Sequence, residues 1–153
     1  MKLAKDYIRK NSISFDKIFE VKKKRYEKIF NYLNENNYLN KNSKFLEIGS
    51  GTGPGLVYFL EKKYTIVGVE PEDESINLSR AKLKENGYNK KNIVFKGFAE
   101  KLPFENSSFN VIITKDVIEH VADIEKTFEE IERVLTKSGV AYIECPDYWY
   151  PYE

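Results

Sequence analysis

A turn that carries four glycines in seven residues, between positions 49 and 55, constrains the fold of this chain more than any other feature. It follows a short apolar run at Lys44–Ile48 and leads into residues 54–62, which have the pattern of a helix with proline in its first turn. Glycines at such a turn let the backbone approach a ligand closely, and the N-terminus of the following helix favours a negatively charged group. The sequence therefore predicts a strand, a ligand-binding turn and a helix, in that order.

Apolar runs of strand length alternate with amphipathic runs of helix length along the rest of the chain. We predict strands at 44–48, 65–70, 93–98, 110–114 and 140–145, and helices at 54–62, 72–86 and 124–136. Strands that are apolar throughout and alternate with helices indicate βαβ units, in which a parallel sheet is covered on both faces. The predicted fold class is therefore α/β, with a doubly wound, mostly parallel sheet.

The segment before the first strand is predicted to be helical and is strongly basic. Its apolar residues recur at steps of three, four and seven between Phe15 and Leu33, which is the pattern of an amphipathic helix. Residues 1–44 hold twelve Lys and Arg against five Asp and Glu, whereas residues 45–153 hold thirteen against nineteen, so the whole chain has a net charge of +1. We predict that the densest basic run, at 22–25, is a solvated helix face. Binding of phosphate, in a nucleic acid or an anionic substrate, is the alternative.

The composition excludes several classes of protein. The chain has 153 residues, the length of one domain, and its 14% of aromatic residues exclude a disordered chain. Its single cysteine, Cys145, excludes an internal disulfide and a cysteine-based zinc site, and we predict no metal site. The sequence has neither an apolar run of roughly 20 residues, the length that spans a bilayer, nor a secretory signal at its N-terminus. We therefore expect a soluble, cytoplasmic protein.

The spacing of the glycines discriminates between the ligands that bind at such turns. A phosphate-binding P-loop requires Lys followed by Ser or Thr after its glycines, and this turn lacks that pair. A dinucleotide-binding turn requires G-x-G-x-x-G, but its third glycine is replaced by Pro54 in one register and by Leu56 in the other, which disfavours a dinucleotide-dependent oxidoreductase. What remains is E-x-G-x-G-x-G, in which Glu47 precedes the first glycine by two residues.

Five segments of the chain together carry a family resemblance. They are LEIGSGTGPG at 46–55, Val69-Glu70-Pro71, residues 99–104, residues 109–113 with 117–121, and residues 133–140. In this order, from about residue 44 to 148, they resemble the motifs of the class I S-adenosylmethionine-dependent methyltransferases of the type 11 kind. The resemblance implies a Rossmann-like core that binds S-adenosylmethionine and releases S-adenosylhomocysteine.

The resemblance also implies which residues hold the cofactor. Glu47 would lie near its ammonium and sulfonium groups, and Glu70, at the end of the second strand, would accept hydrogen bonds from the ribose hydroxyls. On the adenine side the family has Gly-Asp-Ala-Glu, whereas this chain has Phe98 in place of the aspartate, a ring that can pack on the base but accepts no hydrogen bond. The predicted cofactor-binding residues are Glu47, Gly49, Ser50, Gly51, Gly53, Glu70, Pro71, Phe98, Ala99, Glu100, Thr114 and Lys115.

The sequence does not single out a catalytic residue. Methyl transfer is an in-line displacement at carbon, which needs alignment and desolvation more than a catalytic group. His120, the single histidine, is a candidate base for an acceptor that must lose a proton. The leading hypothesis is methyl transfer to a small-molecule acceptor. The alternatives are a nucleic-acid methyltransferase that uses the basic N-terminal helix, and a cofactor-binding module without activity of its own.

The chain is predicted to divide into an N-terminal helical segment, residues 1–42, on the lid and acceptor side, and a cofactor-binding core, residues 43–153. The resemblance implies a seven-stranded sheet, of which the predicted strands account for five. We therefore expect the last two strands to be absent and the core to be truncated on its acceptor side. We predict that the aromatic tail at 146–152 either helps to form the acceptor pocket or has a packing role.

Overall fold

The computed structural model describes residues 15–146 of the chain. Its helices and strands are α1 (Phe15–Glu35), β1 (Lys44–Ile48), α2 (Pro54–Glu61), β2 (Thr65–Glu70), α3 (Asp73–Glu85), β3 (Val94–Lys96), β4 (Phe109–Lys115), α4 (Ile124–Val134) and β5 (Leu135–Glu144). Short 3₁₀ turns at Lys91–Ile93 and Ile118–His120 precede β3 and follow β4. The predictions for residues 1–14 and for the aromatic tail from residue 147 onward lie outside the described residues.

The five strands form one parallel sheet in the order β3-β2-β1-β4-β5. The predicted α/β fold with a doubly wound, parallel sheet is therefore confirmed. The chain runs outward from β1 to β2 and β3 and then returns to place β4 on the other side of β1, so the strand order reverses between β1 and β4. Ligands of such sheets bind at this reversal, outside the carboxyl ends of the strands. The glycine turn lies at this position because it follows β1 directly.

Each face of the sheet is covered by apolar packing. One core contains Phe45 and Ile113 of the sheet, with α1, α2 and α3 packed over it. The other core contains Leu46 and Ile112, with α4 packed over it through Ile131. Consecutive residues of β1 thus point to opposite cores, as the alternation of side chains along a strand requires. This burial on two faces explains why the strands are continuous apolar runs in the sequence.

Helix α1 packs against the first of these cores through one face. Phe19, Tyr26, Ile29 and Leu33 are buried, at the spacing of seven, three and four that places them on one side of a helix. The predicted amphipathic helix is therefore confirmed. Within residues 15–146, no helix is both long enough and apolar enough to cross a membrane.

The predicted bounds of β1 and β2 match the structure, and the largest difference lies where α4 meets β5. The sequence pattern predicts a helix to residue 136 and a strand from residue 140, but α4 ends at Val134 and β5 begins at Leu135. The reason is that Leu135 pairs with Phe109 of β4, and the register of the two strands then shifts before Val140. The amphipathic pattern of one segment does not show at which residue its backbone begins to pair with a neighbouring strand.

Strand β3 is also shorter than predicted. It covers Val94–Lys96 rather than 93–98, because Ile93 belongs to the preceding 3₁₀ turn and the chain leaves the sheet after Lys96. In the part of the chain that the structure describes, β3 and β5 are the edges of the sheet.

Arg133 on α4 holds the loop that follows β3. Its guanidinium donates hydrogen bonds to the carbonyl oxygens of Phe104, at 2.8 Å, and Leu102, at 3.1 Å, and to the side-chain oxygen of Asn106, at 2.9 Å. Glu130, one turn earlier, pairs with Arg133 and accepts the N–H of Leu102 at 2.7 Å. The hydrogen bonds from Arg133 lower the pKa of Glu130. One arginine therefore fixes the loop that carries the predicted adenine-side residues.

Replacing Arg133 with methionine is expected to lower the free energy of unfolding by about 1–3 kcal/mol, because the carbonyl oxygens of the loop lose their donor. Glu129→Met, at an exposed position of the same helix, is the control and should change it by less than about 0.5 kcal/mol. Urea unfolding followed by circular dichroism measures both variants. Equal stabilities of the two would show that Arg133 does not stabilise the loop.

Candidate functional site

A cleft of about 180 Å³ lies at the carboxyl ends of β1 and β4. It is formed by the glycine turn, the first residue of α2, the end of β4 and one face of α1. The lining residues are Lys22, Arg25, Tyr26, Gly49, Ser50, Gly51, Thr52, Pro54, Lys115 and Asp116. The fold thus brings four of the predicted cofactor residues, Gly49, Ser50, Gly51 and Lys115, to one cleft.

Two glycines of the turn, Gly49 and Gly51, have left-handed backbone conformations but different surroundings. Gly49 has φ +71°, and a Cβ at this position would lie 2.3 Å from a methyl carbon of Val117. Gly51 has φ +52°, and a Cβ at this position would meet no atom of the chain within 4 Å. Because Gly51 lines the cleft, the open space beside its Cα is available to a ligand. Gly53, also with positive φ, is the N-cap residue of α2.

Glu70, at the end of β2, connects the second strand to the glycine turn. One carboxylate oxygen accepts the N–H of Gly51 at 2.9 Å, and the other accepts the N–H of Glu72 at 3.1 Å. The side chain is buried, and the next residue, Pro71, is half-buried. A carboxylate has about four lone-pair positions. Glu70 therefore keeps acceptor capacity for two further donors, such as the hydroxyls of a ribose.

Glu47 is buried behind the glycine turn and does not line the cleft. Its carboxyl lies against Gly55 and accepts a hydrogen bond from the hydroxyl of Tyr26 on α1. Burial raises the pKa of Glu47 to about 8 against the hydrogen bond from Tyr26, which lowers it, and the charge of Glu70 adds to the rise. Burial and the charge of Glu47 likewise raise the pKa of Tyr26 well above its ordinary value. Direct contact of Glu47 with the ammonium and sulfonium groups stays a prediction.

The end of β4 contributes a buried hydroxyl and a neutralised charge. Thr114 is fully buried, and Lys115 pairs with Asp116 at 2.9 Å and with Glu144 of β5 at 2.5 Å. Asp116 has a left-handed backbone with φ +55° and lines the cleft. His120, the candidate base, is exposed and does not line the cleft.

The predicted adenine-side residues lie on the loop after β3. Phe98 is 62% exposed, whereas Ala99 is buried. Glu100 accepts the N–H of Ala122 at 2.8 Å, which ties this loop to the loop after β4. The exposed ring of Phe98 is therefore free to pack on a flat base. None of these three predicted residues lines the cleft at the glycine turn.

Three residues of α1 line the cleft: Tyr26, which the sequence does not single out, and Lys22 and Arg25 of the basic run, for which anion binding is the alternative to a solvated face. The sequence contains one signal of this arrangement: the spacing of Lys22, Arg25 and Tyr26 places them on one face of the helix. Whether that face points toward the cleft depends on how Phe19 and Leu33 pack in the core, and this packing is seen only in the tertiary structure.

The polar groups around the turn fit a ligand that has an amino-acid end and a ribose, as S-adenosylmethionine has. The hydroxyls of Ser50 and Thr114 are buried and have no hydrogen-bond partner among residues 15–146, and buried polar groups of this kind call for a partner. Open space beside Gly51 and the spare acceptor positions of Glu70 complete the fit. Across the described range 15–146, no group of three or more His, Cys, Asp or Glu side chains could hold a metal ion.

Comparison with known proteins identifies the family. A sequence profile described as a methyltransferase domain matches residues 46–143, which is well over half of the chain. The chain belongs to the class I S-adenosylmethionine-dependent methyltransferases. The matched range begins in β1, before the glycine turn, and ends in β5, so this methyltransferase domain includes residues of all five described strands.

Individual relatives agree with the family. YrhH, a methyltransferase homologue from Bacillus subtilis, is 30% identical over 132 residues, which are 84% of this chain and 72% of YrhH. The ubiquinone biosynthesis O-methyltransferase of Pelagibacter ubique is 28% identical over 103 residues, which are 67% of this chain and 42% of that enzyme. The chain spans between 32% and 42% of the length of that enzyme and of six other curated relatives.

A solved structure shows the same fold. It is the crystal structure of an S-adenosylmethionine-dependent methyltransferase homologue from Methanococcus maripaludis, which superposes with a TM-score of 0.71. The superposition covers 92% of this chain and 60% of that one, at 20% sequence identity. This methyltransferase domain therefore shares its architecture with that protein.

Proposed function

We propose that the chain transfers a methyl group from S-adenosylmethionine to a small-molecule acceptor. The observation that carries the proposal is the cleft at the strand reversal, where Gly51 borders open space and Glu70 accepts its N–H. The relationship to an O-methyltransferase of ubiquinone biosynthesis supports a small molecule as the acceptor.

The predicted cofactor residues divide by the part of the ligand that each would hold. Bound S-adenosylmethionine supplies a methyl group on a positively charged sulfur. The turn residues Gly49, Ser50, Gly51 and Gly53, with Thr114 and Lys115, would surround the methionine end, Glu70 and Pro71 the ribose, and Phe98, Ala99 and Glu100 the adenine. Glu47 would act on the methionine end from behind the turn, because a cation bound there would favour the charged form of its buried carboxyl.

The contribution of the chain to the transfer is alignment and exclusion of water. In the transfer, bound S-adenosylmethionine would give its methyl carbon to the acceptor atom, and its sulfur would keep the electron pair of the broken carbon–sulfur bond as a neutral thioether. Proximity and orientation supply much of the rate of such a displacement. A base is required where the acceptor atom must lose a proton. The candidates are His120 and Asp116, of which Asp116 lines the cleft.

The nucleic-acid alternative rests on the basic run of α1. In the structure this run does not form one continuous basic face: Lys22 and Arg25 line the cleft, whereas Lys23 pairs with Glu61 of α2 at 2.7 Å. A phosphate backbone is bound by several cations along one surface. The arrangement of α1 therefore favours a small ligand over a nucleic acid.

Transfer of a radioactive methyl group distinguishes the three functions. The purified chain is incubated with S-adenosylmethionine labelled in its methyl group and with a cell extract, which is then separated into small molecules, RNA and protein. We expect label in the small-molecule fraction, and heat-inactivated chain as the control should give none. Label confined to RNase-sensitive material would contradict the small-molecule acceptor. Absence of label, from a chain that binds S-adenosylhomocysteine, would favour the inactive module.

A further inference from the structure

A second concave region lies at the amino ends of β2 and β3. It consists of two cavities of about 140 and 360 Å³, which share Tyr88, Asn89 and Lys90 of the loop after α3. The smaller cavity reaches Val94, the first residue of β3, and the larger one reaches Thr65, the first residue of β2. Because the strands are parallel, the glycine turn lies at the other end of the sheet. The region is therefore separate from the cofactor cleft.

The smaller cavity is basic. Arg80 and Lys84, one turn apart on α3, line it together with Lys90, and none of its described lining residues is Asp or Glu. Within residues 15–146 none of these three cations forms an ion pair. Lys82, on the opposite face of α3, pairs with two carboxylates. Like charges one turn apart on a helix repel each other. The cavity therefore holds positive charge that no carboxylate of the described chain neutralises.

The donors of these cations are available to a ligand. The guanidinium of Arg80 has five N–H donors and uses one of them for the carbonyl oxygen of Val94, at 3.3 Å, which holds the side chain at the cavity. Basic side chains also stabilise the partial negative charge at the end of a helix. At the end of α3, however, loop N–H groups already bond the last carbonyl oxygens, as that of Tyr88 bonds Leu83 at 2.8 Å. The basic side chains are therefore not needed to cap the helix.

The larger cavity has an apolar wall. Leu60, Tyr64 and Ile66 line it beside Tyr88, and Lys90 is the single charged residue among its described lining residues. Tyr88 is half-buried and packs against the first core. Pockets for small molecules combine apolar walls with a few polar groups and have volumes of roughly 300–1,000 Å³. A ligand that spans both cavities would place an anionic group among the cations and a flat apolar part beside Tyr88.

We propose that this region binds a small phosphate monoester, whose phosphate is held by Arg80, Lys84 and Lys90 and whose flat apolar part lies beside Tyr88. A phosphate monoester has a charge of about −1.5 to −2 at pH 7 and three acceptor oxygens, which suit three cations better than a carboxylate does. A nucleic acid offers the same phosphate chemistry along a surface, but the basic cavity of about 140 Å³ has the size of one such group. The inference does not depend on the proposed function, because the region lies outside the cofactor cleft.

The test is titration of the isotopically labelled chain with phenyl phosphate, followed by NMR. Saturable shifts are expected in the amides of residues 84–94 and none in those of the glycine turn, and phenol, which lacks the phosphate, should give none. The K84Q/K90Q variant should bind phenyl phosphate roughly 10-fold or more weakly, the effect of losing charge-assisted hydrogen bonds. K24Q/K28Q, at two exposed lysines of α1 outside both cavities, removes the same charge and should bind it normally.

A second variant tests the apolar part of the site. Tyr88→Leu should weaken the binding of phenyl phosphate by roughly 2- to 10-fold, the effect of losing one contact between aromatic rings. Its affinity for inorganic phosphate should stay within about twofold of that of the unaltered chain, because the three cations are unchanged. Equal losses of affinity for both ligands would show that Tyr88 does not contact the ring.

Four results would overturn the inference. They are no binding of phenyl phosphate at tens of millimolar, shifts centred on the glycine turn, equal affinities for phenol and phenyl phosphate, and equal losses of affinity in the two double variants. A uridine oligonucleotide that binds more tightly than phenyl phosphate, and loses that affinity in K84Q/K90Q, would assign the phosphate to a nucleic acid and make the small ligand wrong. The proposed function is tested separately, because K84Q/K90Q should bind S-adenosylhomocysteine as the unaltered chain does.

Discussion

Replacing Gly51 with alanine is expected to weaken the binding of S-adenosylhomocysteine by roughly 5- to 150-fold, the equivalent of about 1–3 kcal/mol for one methyl group forced into an occupied space. The added Cβ meets no atom of the chain within 4 Å, so the protein itself has room for it. The residue lines the cleft, and the methyl group would take space that the cofactor needs. Because the φ of Gly51 is +52°, alanine also costs stability, about 1–2 kcal/mol.

Gly87 supplies a closely matched control for this substitution. It follows α3, has φ +85°, is exposed, and would likewise place a Cβ within 4 Å of no atom. Gly87→Ala should therefore show a similar loss of stability with no loss of cofactor affinity. Calorimetric titration and urea unfolding of both variants give the two quantities. Equal affinities of the Gly51 and Gly87 variants would show that the space beside Gly51 is not part of the binding site.

The second large effect concerns the pH dependence of stability, which we expect Glu47 to dominate. Burial raises the pKa of Glu47 from an ordinary value of 4.5 to about 8. Between these two values the folded chain binds a proton that the unfolded chain has released, so the free energy of unfolding falls as the pH rises. Each unit by which folding displaces the pKa is worth about 1.36 kcal/mol, so the free energy of unfolding falls by roughly 3–5 kcal/mol between pH 5 and pH 9.

Glu47→Gln removes this titration while keeping the shape of the side chain and an oxygen that can accept the hydroxyl of Tyr26. The variant should lose less stability than the unaltered chain as the pH rises, so the difference between their free energies of unfolding should change by several kcal/mol from pH 5 to pH 9. Glu129→Gln, an exposed carboxyl on α4, should follow the unaltered chain. Urea unfolding at pH 5, 7 and 9 measures the free energy of unfolding of each chain. Parallel pH profiles of Glu47→Gln and the unaltered chain would show that Glu47 does not cause the pH dependence.

The fold follows from the sequence because local pattern and tertiary structure agree over most of the chain. The apolar runs at Lys44–Ile48 and Thr65–Glu70 are strands with the predicted bounds, since central strands buried on both faces leave a continuous apolar signal. The junction of α4 and β5 is different. There the helical pattern extends past Val134, and pairing of Leu135 with Phe109, which lies 26 residues away in sequence, decides the boundary.

The site is predicted in part, for a similar reason. The glycine turn follows β1 directly and Glu70 is the last residue of β2, so their place at the carboxyl ends of the strands can be inferred from sequence order alone. The α1 part of the cleft, formed by Lys22, Arg25 and Tyr26, comes from a helix that precedes the whole sheet. The sequence shows that this helix is amphipathic, but it does not show which face of the helix borders the cleft. The position of Glu47 behind the turn depends on Tyr26 in the same way, since its partner lies 21 residues earlier.

The proposed ligand of the turn can be tested by calorimetric titration of the unaltered chain with S-adenosylhomocysteine, with NAD as a parallel ligand. We infer that the turn between β1 and α2 holds S-adenosylmethionine, because the spacing of its glycines departs from the dinucleotide-binding pattern. We expect saturable, one-to-one binding of S-adenosylhomocysteine in the micromolar range and no binding of NAD. Binding of NAD, or no detectable heat with S-adenosylhomocysteine at millimolar concentration, would contradict this assignment.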